Sequence, residues 1–121
     1  MSFVLLWLAV GVLGGLGAIA RFLIDARVSA AGGAQFPLGT LVVNLSGALV
    51  LGVLVGVALS DDAYLLTGTA VIGSYTTFST WMLESHRLAE DGRRRLLAAN
   101  IVLSLVIGVG AAALGRLLGG G

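Results

Sequence analysis

The chain has 121 residues, 58% of them hydrophobic and 11% charged, with a mean hydropathy of +1.06. One small domain cannot hide that much apolar surface from water, so lipid is the expected solvent for most of it. The net charge of +1 offers no basic stripe for nucleic acid, and the absence of cysteine excludes disulfides and thiolate chemistry.

The first predicted span runs from about Phe3 to Ile24. At about 1.5 Å per residue this crosses a hydrocarbon core of about 30 Å. It is longer than a signal peptide's apolar core and has no basic residue before it, so it is expected to be retained. Gly11 and Gly15, like Gly14 and Ala18, are small residues four apart that let another helix approach closely. Arg21 is either a snorkelling anchor or a residue at a pore mouth.

Asp25 to Phe36 reads as an Ala/Gly-rich loop or a short interfacial helix. Pro37 then precedes the second span, about Leu38 to Leu59, where its fixed φ suits a helix start. Thr40, Asn44 and Ala48 share a face of that span, and Gly52 and Gly56 repeat the small-residue spacing. Asn44 is the most polar side chain near the middle of any span. It is either interhelical glue, worth about 1 kcal/mol in membranes, or an amide donor to an anion.

Ser60, Asp61 and Asp62 make a tight turn into the third span, about Ala63 to Ser85. In its middle lies GSYTTFSTW, with hydroxyls on Ser74, Tyr75, Thr76, Thr77, Ser79 and Thr80. Hydroxyls at bilayer depth are costly unless they face one another, a partner or a solute. A glycine followed by such a cluster also favours unwinding, which frees backbone groups to bind an ion. This span is therefore expected to be broken mid-membrane. Phe78, Trp81 and Glu84 follow at three-residue spacing and share a face if the second half is helical. Packing is the ordinary reading of an aromatic stripe; its alternation with hydroxyls favours a pathway.

His86 to Arg95 reads as a charged loop with His86 solvated. The fourth span runs from about Leu96 to Leu117, with Asn100 and Ser104 on one face, and the glycine tail is expected to be disordered. Residues 1–121 thus form one four-helix membrane domain, whose polar faces call for an oligomer to shield them. Arg21, Arg27, Arg87, Arg93, Arg94 and Arg95 fall on one side and Arg116 alone on the other. By the positive-inside rule this bias places both termini outside the cytoplasm.

Three stretches stand in order along this four-span chain: GGLGAIARF (Gly14 to Phe22), GTLVVNLSG (Gly39 to Gly47) and GSYTTFST (Gly73 to Thr80). Together they resemble the Fluc (CrcB-type) fluoride channels. The resemblance implies an all-α integral membrane fold of four transmembrane helices per subunit, the third broken. It implies an antiparallel, dual-topology homodimer in the inner (plasma) membrane, with two fluoride pathways. It also implies a central structural sodium ion held by the backbone carbonyls of Gly73 and Thr76 from both subunits. Asn44, Ser79, Thr80 and Ser104 match pathway positions, Phe78 the first ring of an aromatic box, Arg21 a first-span arginine, and Glu84 an acid near one end. Thr40, on the Asn44 face, completes the set. Trp81 stands where the second box phenylalanine is usual, and Asn100 where some members carry tyrosine. The Arg bias sits badly with dual insertion, so an oppositely oriented paralogue is the alternative partner.

Fluoride holds its water tightly, so a route for it must replace hydration with donors. Asn44 offers N–H groups, Ser79, Thr80 and Ser104 offer O–H groups, and Phe78 offers a positive ring edge. Trp81 could offer its edge or its indole N–H. The competing reading is a small dual-topology proton-coupled exporter, which needs an acid deep in the membrane; the only acid within a span, Glu84, lies near an end. No nucleophile–base pairing, metal-ligand cluster or phosphate loop supports an enzyme.

Overall fold

Among the described residues three helices are long and apolar enough to cross a membrane: α1 (Phe3–Gly32), α2 (Leu38–Val57) and α6 (Arg94–Leu118). The structure, a computed structural model, describes residues 2–32 and 35–121, and every regular element among them is helical. Between α2 and α6 the chain runs through α3 (Asp61–Tyr64), a π-helical segment (Leu65–Ile72), α4 (Gly73–Tyr75) and α5 (Ser79–Glu90). The protein is a multi-pass membrane protein. In place of a fourth uninterrupted span it has this run of shorter pieces.

α1 continues to Gly32, beyond the apolar stretch that ends near Ile24. Ala26, Ala30 and Ala31 are strong helix formers, and Ser29 Oγ donates to Asp25 Oδ1 one turn back. Of the two readings offered for Asp25 to Phe36, a loop or a short interfacial helix, the helix holds through Gly32, as a continuation of α1; residues 33 and 34 lie outside the described residues. α2 stops at Val57, where Ala58 turns left-handed (φ 59°, ψ 57°) and donates its N–H to the Val55 carbonyl. Ser60 then caps α3, its hydroxyl accepting from the Ala63 N–H.

The π-helical segment lies against α1 at backbone distance. A Cβ on Gly17 would sit 2.3 Å from the Val71 carbonyl oxygen, so only glycine permits this approach. After α4 the helix breaks at residues 76–78, with Thr76 extended (φ −77°, ψ 160°). α5 then runs through Glu90, which corrects the expected loop from His86. The exposed His86–Glu90 pair at 2.6 Å supports its last turns, and Arg87 sits where the helix dipole favours a cation. The loop shrinks to a turn at Asp91–Arg93, with Gly92 at φ +70°.

α6 packs along α2 through glycines on both sides. A Cβ on Gly52 would lie 2.2 Å from the Ala112 carbonyl oxygen, and one on Gly115 would lie 2.1 Å from that of Leu49. The glycine tail folds back onto the end of α6 and against α2. Gly121 N–H donates to the Arg116 carbonyl at 2.9 Å, and Gly119 lies against the Val53 carbonyl. Few apolar side chains among the described residues are buried, chiefly Val43, Ala70, Tyr75 and Leu88, while Phe3, Phe22 and Val109 stand outward. Such a chain has its apolar groups turned toward lipid or another subunit.

Candidate functional site

The site is built where α2 meets the break. Asn44 Nδ2 donates to the Thr77 carbonyl and Asn44 Oδ1 accepts from the Thr77 N–H, both at 2.8 Å. One side-chain amide thus replaces the helix ladder at the residue where the ladder is missing. The replacement has a consequence one turn back. In an unbroken helix the Thr77 N–H would serve the Gly73 carbonyl, and the Thr80 N–H would serve that of Thr76. The first goes to Asn44, and the second goes to Thr77 Oγ1 at 3.2 Å. Side-chain competition therefore releases the Gly73 and Thr76 carbonyls from their helical donors.

Close packing holds the break in place. A Cβ on Gly47 would meet Thr76 Cγ2 at 2.3 Å, and the Tyr75 hydroxyl hydrogen-bonds Ser46 Oγ at 2.8 Å. Asn44, Gly47, Thr76, Thr77, Phe78 and Trp81 line an open groove of about 290 Å³. Phe78 is 70% exposed and meets Trp81 edge to face, with centroids 5.8 Å apart and planes at 79°.

Thr77 also lines a second, smaller cleft of about 170 Å³, which it shares with Arg21, Asp25, Thr40, Val43 and Thr80. Further out, Gln35, Glu84, Arg87, Asp91 and Arg93 line a mouth of about 340 Å³. This mouth places the turns after α1 and α5 at one end of the molecule. The Thr40 hydroxyl donates to Glu84, so this pair stands between the mouth and the inner cleft. Arg21 has no carboxylate within ion-pair distance; His86–Glu90 is the one pair among the described residues. Its charge is available to the cleft.

The structure thus brings Asn44, Phe78 and Trp81 to one groove, and Arg21, Thr40 and Thr80 to the cleft behind it, with Glu84 at the mouth. Ser79 is exposed, its hydroxyl 3.4 Å from Thr77 Oγ1. Ser104 is half-buried on α6 and lines none of these three clefts. The Trp81 indole N–H, considered above as a donor to an anion, instead donates to the Asn100 carbonyl at 3.1 Å. α6 lies close enough to take it. Asp25, Thr77 and Ser85 were not among the expected site residues. Asp25 follows Arg21 by four and Ser85 follows Trp81 by four, a same-face spacing that could have flagged both.

The family model described as CrcB-like protein, Camphor Resistance (CrcB), matches residues 8–116. The chain belongs to the CrcB-like family. This CrcB-like chain is 53% identical over 118 residues to a protein of Mycolicibacterium paratuberculosis named Fluoride-specific ion channel FluC 2, covering 98% of this chain and 97% of that one. A Mycobacterium tuberculosis protein of the same name is 51% identical over 113 residues, covering 93% and 90%. Symbiobacterium thermophilum has a Fluoride-specific ion channel FluC 1 that is 40% identical over 121 residues, covering 95% and 98%. The CrcB-like family is one of ion channels, not enzymes.

Proposed function

We propose that this protein is a fluoride-selective channel of the inner membrane, exporting cytoplasmic fluoride down its gradient through two pores per antiparallel dimer. One observation carries the reading. Near full-length likeness joins the chain to proteins named for fluoride-specific conduction. The geometry supports it by supplying what a strongly hydrated small anion needs, a succession of donors, with Arg21 beside Asp25 in the inner cleft and no carboxylate lining the groove at the break. Arg21 and the hydroxyl of Thr80 meet the ion in the inner cleft, while Thr40, its hydroxyl given to Glu84, holds that carboxylate at the cleft's outer edge. The second N–H of Asn44 and the edges of Phe78 and Trp81 meet it in the groove. Ser79 and, from α6, Ser104 are the remaining hydroxyls assigned to the route. The groove is open on one side and Phe78 is exposed there, which suits closure by a second subunit.

The central sodium ion belongs to the same proposal. Its ligands are the Gly73 and Thr76 carbonyls of both subunits, and the released state of these two groups fits a hard monovalent cation. When bound, the ion adds fixed positive charge that offsets the desolvation of fluoride nearby. In each chain Asn44 maintains that donor set, because it holds the Thr77 N–H away from Gly73.

Fluoride efflux from proteoliposomes, with wild type beside Phe78→Ile, tests the route. Wild type is expected to release fluoride and the variant to be slower by about tenfold or more, equivalent to about 1.4 kcal/mol of barrier. Equal rates would remove Phe78 from the pathway.

A further inference from the structure

Trp81, Ser85 and Asn100 close a ring of three hydrogen bonds. The Trp81 indole N–H donates to the Asn100 carbonyl at 3.1 Å. The Ser85 hydroxyl donates to the Trp81 carbonyl at 2.8 Å, and Asn100 Nδ2 donates to Ser85 Oγ at 2.9 Å. Each residue gives one bond and takes one. Asn100 is fully buried and Ser85 is 5% exposed, so water does not compete for these bonds, and each strengthens its neighbours. The ring ties α5 to α6 beside the groove. Asn100 does not line the groove, whereas Trp81 does.

From this geometry we infer that Asn100 and Ser85 are positioning residues. They hold Trp81 in the wall of the fluoride pathway with its N–H turned to α6, so that the ion meets ring carbon edges. This rests on the channel reading above. An indole N–H is a stronger donor than a ring C–H, and in a narrow groove it would hold a small anion rather than pass it. Tying it to a backbone carbonyl lets the larger ring serve as a phenylalanine edge would, in the edge-to-face pair with Phe78. Asn100 is retained in the ring although its Oδ1, buried, has no partner. Such an atom is costly, which argues that the amide is held for its N–H.

The test uses a Trp7→Phe background, in which Trp81 is the sole tryptophan, and reads two quantities in proteoliposomes: fluoride efflux and Trp81 emission. Asn100→Leu and Ser85→Ala are each expected to slow efflux by about tenfold and to shift the emission. Their combination is expected to be no worse than either alone, because both open one ring. Ser85→Thr keeps the hydroxyl and is expected to restore both readings. Trp81→Phe, which removes the N–H, is expected to cost less efflux than Asn100→Leu. Should Asn100→Leu fail to fold, Ser85→Ala and Ser85→Thr carry the comparison. Unchanged efflux and emission in Ser85→Ala would overturn the inference, as would loss of conduction in Trp81→Phe beside normal conduction in Asn100→Leu. Absence of fluoride efflux in the parent would instead count against the channel reading, and the emission shifts would still report whether the ring positions Trp81.

Discussion

Asn44 has two jobs that its neighbours separate. Its oxygen and one N–H are spent on Thr77, and the other N–H, which the proposed pathway gives to the ion, is not part of that pairing. Asn44→Ala leaves the Thr77 N–H and carbonyl without partners in a poorly hydrated place, at a cost of about 2–4 kcal/mol. We expect a lower unfolding temperature in detergent and weak or absent conduction. Asn44→Asp keeps the acceptor but sets a carboxylate against the Thr77 carbonyl and the passing anion. Efflux by this variant is expected to fall by more than its stability does, which paired melting and efflux measurements would show. That Asn44 matters was legible from its isolation in an apolar span. That it matters by freeing the Gly73 carbonyl was not, because this depends on which backbone group lies opposite.

The broken segment is the element on which the others converge. Its break was readable from Gly73 and the hydroxyls that follow. Its π-helical winding was not, since that reflects a fit between two backbones, Gly17 against Val71. Gly17→Ala must push α1 away from a carbonyl that cannot rotate aside. We expect it to destabilise the fold by about 1–3 kcal/mol in denaturation assays. Gly47→Ala meets the methyl of Thr76 and so disturbs the break itself. Here conduction is expected to suffer more than melting temperature, and the reverse order would place the strain elsewhere. The ends of α1 and α5 escaped the hydropathy pattern for one reason. Both continue as helices past the apolar stretch, held by alanines, an Asp25–Ser29 bond and a His86–Glu90 pair.

At the scale of the molecule, two facts pull against each other. The groove is open on one side, which calls for a partner, and the arginines gather at one end, which favours a single insertion. The three motifs made the family legible, but subunit arrangement is a property of two chains and no pattern within one can fix it. The account requires both orientations. With no native cysteine, an Arg94→Cys variant can be labelled with an impermeant maleimide on intact and then opened cells. Labelling of the same site from both sides is expected; labelling from one side alone would favour an oppositely oriented paralogue. The most direct measurement is efflux from liposomes holding this chain alone, with a fluoride electrode beside a chloride control. Rapid release of fluoride without chloride is the predicted result. Well-inserted protein that releases neither ion, or both alike, would contradict a self-sufficient fluoride channel.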